Sequence, residues 1–351
     1  MQVGFLLEQC LAPVPGGTGR YSRELALALA ATAPEGSSVS GVTAFHRTAL
    51  TVPGLDVHRL PLPRRALVAA WERGRGPAVP GDVVHAPTPL HPVRRTRPLV
   101  VTVHDAVPWT HPETLTPRGV RWHRAMVGRA VATADLVVVP TQAVAEELGR
   151  HLSLREVLVV GEGVSGALAL PEDAAQRAAR MELPEQFLLT VATLEPRKGL
   201  RQLVAALHEV PGLPLLCVGQ TGWGDLAGLD DSRVRLLGRV PDADLAVLLH
   251  LATALVVPSL SEGFGLPLLE GMAAGTPVLT SDAPALIEVA AGAALAVPIS
   301  ELSDGLRQIT GDEVLRARLA AAGPARAAAF TWEGAASQLW RAYLKLHERD
   351  T

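Results

Sequence analysis

Lysine is nearly absent from this sequence. Only Lys198 and Lys345 occur among 351 residues, whereas 30 are arginine. Arginine is the default cation here, so each lysine is a position to be explained. Cysteine is equally scarce. Cys10 and Cys217 lie in apolar stretches, which excludes a disulfide framework or thiolate metal spacing and predicts buried free thiols. Aromatic residues make up 4%, so any core is built from Leu, Val and Ala. No uncharged apolar run reaches the ~18 residues that span a bilayer. The segment Met1–Glu8 has no basic region and too short an apolar run for a secretory leader. A cytoplasmic location is expected, with peripheral contact at the inner membrane face left open.

Hydrophobic residues make up 48%, charged residues 19%, and the formal net charge is −3. Disorder is excluded at that balance, and the length suits about two domains. The charge is unevenly divided. Residues 1–165 carry 17 Arg and Lys against 13 Asp and Glu, and residues 166–351 carry 15 against 22. A basic half suits phosphates or an anionic membrane surface; solvated surface is the competing reading, also for the Arg64–Arg97 stretch. No nucleic-acid partner is expected.

Continuous apolar strands are predicted at Val3–Leu7, Val39–Ala44, Val83–His85, Leu99–His104 and Leu136–Pro140. A second series is predicted at Phe187–Val191, Leu213–Val218, Val234–Leu237, Ala254–Pro258 and Pro277–Thr280. Such strands belong to parallel sheets covered by helices on both faces. The glycine-rich run Gly161–Gly166 and the polar, Ala-rich stretch to Glu185 read as a linker. The expected architecture is α/β, with two Rossmann-like domains facing each other across a cleft. Their expected extents are 1–165 and 166–330, with a C-terminal helix in 331–351 packing back toward the first.

Several segments have chemical potential. Ser261-Glu262-Gly263-Phe264-Gly265-Leu266-Pro267 leads from an apolar strand into a helix predicted to start near Pro267. Amides at a helix start are an anion site. Glu262 in the loop and Glu270 in the predicted first helical turn flank it, and each can accept hydroxyl hydrogen bonds. Thr193-Leu194-Glu195-Pro196-Arg197-Lys198-Gly199 sets two adjacent cations before a second helix, which suits a diphosphate. Gly16-Gly17-Thr18-Gly19-Arg20-Tyr21 reads as a loop between the first strand and a helix, although a plain tight turn is the competing reading. His104-Asp105 ends a strand, where a histidine can donate to a ligand hydroxyl or to a developing negative charge; an ordinary satisfied histidine is the alternative. His85 and His111 are weaker candidates. Asp242 and Asp244 form Asp-x-Asp, but their place at a predicted helix start favours capping over metal binding.

The Glu262-to-Glu270 segment resembles the E-x7-E signature of GT-B glycosyltransferases, specifically glycosyltransferase family 4. The likeness runs through most of the chain and is densest over 186–300. It implies that Glu262 contacts the donor sugar, that the loop at Phe264, Gly265 and Leu266 holds sugar and diphosphate, and that Glu270 binds ribose. It assigns the diphosphate to Lys198 first and Arg197 second. Many members carry arginine where this chain has Thr193, still within the donor loop. The Gly17 amide is implied near the diphosphate and His104 near the reacting centre. Arg239 and Val240 are implied beside the nucleobase, with Gly219–Gly224, including Trp223, a further loop near it.

The implied activity is a retaining hexosyltransferase that needs neither cofactor nor metal. Its donor would be a nucleotide diphosphate sugar, GDP-mannose as first choice and UDP-linked glucose or N-acetylglucosamine next. The acceptor would be a glycan, a lipid-linked saccharide or a natural product, and bacterial polysaccharide synthesis the setting. A sugar-nucleotide epimerase of the same fold and a non-catalytic sugar-nucleotide-binding protein are the alternatives. A nicotinamide-dependent dehydrogenase would want a clean G-x-G-x-x-G and an acid about 20 residues on, and neither is clear.

Overall fold

Val3-Gly4-Phe5-Leu6 is buried along its length, as a strand covered on both faces must be. In the computed structural model, which describes residues 1–92, 97–220 and 231–350, it belongs to β1 (Gln2–Leu6). With it are β2 (Ser38–Phe45), β3 (Val57–Pro63), β4 (Val83–Ala86), β5 (Leu99–Thr102), β6 (Leu136–Val139) and β7 (Val157–Val159). Among the described residues these pair, all parallel, in the order β3-β2-β1-β4-β5-β6-β7.

The second sheet comprises β8 (Leu188–Val191), β9 (Leu215–Val218), β10 (Val234–Gly238), β11 (Ala254–Val257), β12 (Val278–Ser281) and β13 (Leu295–Val297). Its order, β10-β9-β8-β11-β12-β13, repeats the same winding, again all parallel. In each sheet the strand order reverses beside the first strand, at β1/β4 and at β8/β11. Ligands of doubly wound sheets bind beyond the carboxyl ends of the strands at such a reversal.

Contacts divide the chain into two units, Met1–Glu162 with Thr331–Thr351, and Gly163–Phe330. The first unit's cores are aliphatic around Trp71, with Leu6, Val42, Leu67 and Leu99 on one side of the sheet and Val103, Val127, Val139 and Leu148 in a second cluster. The second unit packs Leu203, Leu207, Leu215, Val256, Leu279 and Leu306. The helix Trp332–Asp350 is part of the first unit. It buries Ala336, Leu339, Tyr343 and Leu346, and Trp340 Nε1 donates to the Leu29 carbonyl at 3.0 Å. Among the described residues no helix is long and apolar enough to cross a membrane.

Three strands exceed the sequence reading: β3, β7 and β13. All are sheet edges, half-exposed or only three residues long, so they lack the continuous apolar run that marks a central strand. β3 also contains Pro61 and Pro63, which only an edge tolerates. The stretch read as linker up to Glu185 holds a helix, Ala174–Arg180, tied to its unit by Arg177 Nη1 on Asp244 at 2.7 Å.

Leu339 is fully buried in the Trp332–Asp350 helix. Leu339→Ala is expected to cost about 2–5 kcal/mol, read as an earlier thermal unfolding step of the full chain.

Candidate active site

In the second unit, β8 and β11 are neighbours, pairing Ala254 with Leu188 and Leu255 with Leu189. The loops that follow them must therefore meet. After β8 the chain runs to a short turn, Pro196–Lys198, then to Gly199 at φ 66° and the helix Leu200–Glu209. A Cβ on Gly199 would fall 1.9 Å from the Pro258 carbonyl oxygen. Only glycine permits both that backbone conformation and that approach. The Leu260 amide donates to the Arg197 carbonyl at 2.8 Å, locking one loop onto the other.

The result is a buried cluster of charges. Lys198 Nζ donates to Glu262 Oε1 at 2.6 Å, and Arg197 Nη1 lies 3.4 Å from Glu262 Oε2. Ser259 Oγ donates to Glu262 Oε1 at 2.6 Å, and Arg197 Nη2 pairs with Glu195 at 3.1 Å. The Glu262 side chain is only 8% exposed and Lys198 12%. Burial pushes the Glu262 pKa up, but the charges of Lys198 and Arg197, with the Lys198 and Ser259 hydrogen bonds, outweigh it and hold it at about 2. Two cations and two carboxylates thus balance at the switch point of this sheet.

The other donor-side candidates lie around this cluster. Thr193 is half-buried in the loop after β8, where Leu194 N donates to the Gln220 carbonyl at 3.0 Å. Gly265, at φ 91°, caps the helix Leu266–Ala273, which starts one residue before the predicted Pro267. Glu270 is therefore the fifth helical residue, past the first turn rather than in it, and it is buried. The Phe264 ring packs edge-on against Phe330 at 5.4 Å. Leu266 is buried as well.

Arg239 and Val240 follow β10, two strands away from β8, and the structure does not bring them into the cluster. Arg239 is exposed and makes no hydrogen bond or ion pair among the described residues. Asp242 and Asp244 occupy the first turn of the helix Asp242–Leu251, and Asp244 binds Arg177 at 2.7 Å and Arg180 at 3.3 Å. The loop reading at Gly219–Gly224, Trp223 included, lies from Thr221 onward outside the described residues.

In the first unit the Gly16–Tyr21 segment is helix rather than loop. The helix Gly16–Ala31 begins at Gly16, with Pro15 as its cap, so Gly17 sits in its first turn. Glycine at φ 60° starts the turn, and Gly19 closes it with a 2.9 Å bond to the Pro15 carbonyl.

β5 ends at Thr102, two residues before His104. His104 Nε2 donates to the Pro87 carbonyl at 2.8 Å, and Nδ1 lies 3.7 Å from the buried carboxylate of Glu162. Burial lowers the His104 pKa, but the hydrogen bond and charge of Glu162, with Pro87 and Asp105, prevail and raise it. Asp105 also accepts from the Val107 amide at 3.1 Å, starting a turn.

Sequence reasoning missed Glu162, which it placed in the linker. The available signal was a lone acid between two glycines. It also missed a buried polar chain beneath His104. Tyr343 meets His85 Nδ1 at 2.5 Å, His85 Nε2 meets Thr102 Oγ1 at 2.8 Å, and Thr102 Oγ1 meets the Tyr21 hydroxyl at 3.2 Å. The Tyr21 ring stands edge-on to His104, centroids 4.6 Å apart. Burial and the nearby His104 push the His85 pKa down to about 3, so this histidine is neutral. His111 lies apart, on Glu113 at 3.1 Å. A cavity of about 960 Å³ opens at His104 and Asp105 within this unit, large enough for a sugar-sized ligand.

The family model described as "Glycosyltransferase Family 4" matches residues 15–165, and that described as "Glycosyl transferases group 1" matches residues 171–326. The chain is 30% identical over 285 residues to the O-antigen chain mannosyltransferase B of Escherichia coli, covering 74% of each chain. It is 32% identical over 262 residues to the phosphatidyl-myo-inositol mannosyltransferase of Mycobacterium leprae, covering 70% of this chain and 67% of that one. In structure it resembles sucrose-phosphate synthase from Thermosynechococcus elongatus, with TM-score 0.82 at 23% identity over 99% of this chain and 100% of that one.

The Glu262 shift fixes a pH dependence. Its folded pKa of about 2 lies below the unfolded value of about 4.3. The ion pairs therefore stabilise the fold fully above the unfolded value and lose that contribution as pH falls toward 2. Glu262→Gln is expected to flatten the loss of unfolding temperature across this acid window relative to wild type.

Proposed function

The chain belongs to glycosyltransferase family 4 and has its GT-B fold, and from that premise we propose that this glycosyltransferase moves mannose from GDP-mannose to a saccharide acceptor with retention of anomeric configuration. The observation that carries the donor reading is the Lys198–Glu262–Arg197 cluster at the β8/β11 switch point. The mannosyltransferase relatives favour mannose and therefore GDP.

The roles follow from charge. As the bond from sugar C1 to the diphosphate oxygen lengthens, negative charge grows on the diphosphate and positive charge on the ring. Lys198, Arg197 and amides at the start of the Leu266–Ala273 helix meet the first. Glu262 accepts a hydroxyl of the transferred sugar, and Glu270 accepts from ribose. Arg239 and Val240 cradle the base, and Gly17, in the first helical turn of its unit, offers its amide to the diphosphate. His104, whose pKa Glu162 raises, donates to a sugar hydroxyl.

Transfer is a front-side substitution. The acceptor hydroxyl bonds to C1 on the face the diphosphate leaves, and a phosphate oxygen takes the hydroxyl proton. Two cations already stand at the diphosphate, so no metal ion is required. A covalent glycosyl adduct trapped on Glu262 or Glu162 would overturn this route.

The test is turnover of GDP-mannose with and without EDTA, and the anomeric configuration of the product by NMR. EDTA is expected to leave turnover unchanged. Lys198→Ala is expected to lower turnover by about 10²–10³-fold while the far-UV spectrum is retained. Wild-type turnover in that variant would refute the diphosphate assignment. Turnover with only UDP-linked sugars would keep the transferase and replace the donor.

A further inference from the structure

The cavity that opens at His104 is walled by two helices, Arg64–Glu72 and Pro117–Thr133. Their placement is fixed by hydrogen bonds. Arg129 donates from Nη1 to the Trp71 carbonyl and from Nη2 to the Glu72 carbonyl, each at 2.8 Å. Trp122 Nε1 donates to Glu72 Oε1 at 2.6 Å. The second helix is capped by the Thr116 side chain, which accepts from the Gly119 amide at 3.1 Å, with Pro117 next in line.

Every carboxylate in the lining is already engaged. Glu8 accepts from the Ala44 amide at 2.9 Å and lies 3.0 Å from His46 and 3.4 Å from Arg64. Asp105 accepts from the Val107 amide and Glu72 from Trp122. Two cations are not engaged. Arg65 comes from one wall and Arg118 from the other, and neither makes a hydrogen bond or ion pair among the described residues. A single exposed arginine is ordinary solvated surface. Two that line one cavity from two different helices, beside acids bonded internally, are suited to an anion.

We infer that this cavity binds the acceptor by an anionic group, a phosphate or a carboxylate, held by Arg65 and Arg118, with the saccharide part against Trp122 and His123. The assignment names the acceptor class for the function proposed above and rests on that reading. Trp122 offers a flat apolar body whose polar tip is already bonded to Glu72. His123 is half-buried, and burial lowers its pKa despite the charge of Asp105. It is thus a neutral ring with one donor and one acceptor for hydroxyls.

The test is calorimetric titration of the full chain with three probes: mannose, mannose 6-phosphate and mannuronate. One anionic probe is expected to bind at least about tenfold tighter than mannose, a difference of about 1.4 kcal/mol. Which one does so separates phosphate from carboxylate. The double variant Arg65→Ala/Arg118→Ala is expected to erase that advantage at an unchanged unfolding temperature, since both side chains are exposed. Arg65→Lys/Arg118→Lys keeps the charge and is expected to retain part of it. Equal binding of all three probes, or an advantage that survives the alanine pair, overturns the inference. GDP-mannose binding is measured in parallel. Its loss, with the anion preference intact, counts against the donor reading alone.

Discussion

Glu262 is taken out of water and stays ionised because Lys198 and Arg197 are taken out with it. Desolvating a charge costs several kcal/mol, which only good geometry and full hydrogen bonding offset. The geometry comes from the sheet. β8 and β11 lie side by side, so their loops emerge together, and Gly199 lets the backbones close to contact. Lysine suits the position because its compact ammonium concentrates charge on one carboxylate oxygen, whereas a guanidinium spreads it over a plane. That Arg197 serves two carboxylates, Glu195 and Glu262, while Lys198 serves one fits this division.

The first unit applies the same winding to a different problem. Its histidine faces the buried carboxylate of Glu162 and meets, through the Tyr21 ring, a chain of neutral polar groups. Tyr343, His85, Thr102 and Tyr21 satisfy one another inside the core, and none needs to ionise. His85 and His104 are pushed in opposite directions, one by burial and the other by Glu162. Only the ring past the strand end meets the cavity.

Much of this was legible in the sequence because buried parallel strands are written as unbroken apolar runs. All ten strands read from such runs are present, with ends shifted by up to two residues. Edge strands escaped because half-exposed sequence such as Val57–Pro63 carries no such run. The Glu262 and Lys198 loops were visible through spacing and through the rarity of lysine. Their mutual ion pair was not, because it depends on which strands become neighbours. Glu162 and Tyr343 were hidden for the same reason. One meets His104 across 58 positions and the other meets His85 across 258, and local pattern carries no trace of either contact. The Gly16–Gly19 run misled in the other direction, since its glycines start the helix instead of forming a loop before it.

The return of the chain to its first unit has a consequence for biogenesis. The core holding Trp332, Leu339, Tyr343 and Leu346 receives those side chains only after the whole second unit has been made. A ribosome thus releases a contiguous unit, Gly163–Phe330, before the unit begun at Met1 can close. Domains made in sequence commonly fold in order of synthesis; here the order of completion is reversed. Until the helix Trp332–Asp350 emerges, His85 lacks its Tyr343 partner and the Leu29 carbonyl its Trp340 donor. The first unit without that helix leaves part of its core uncovered, the kind of surface that makes a nascent chain prone to aggregate.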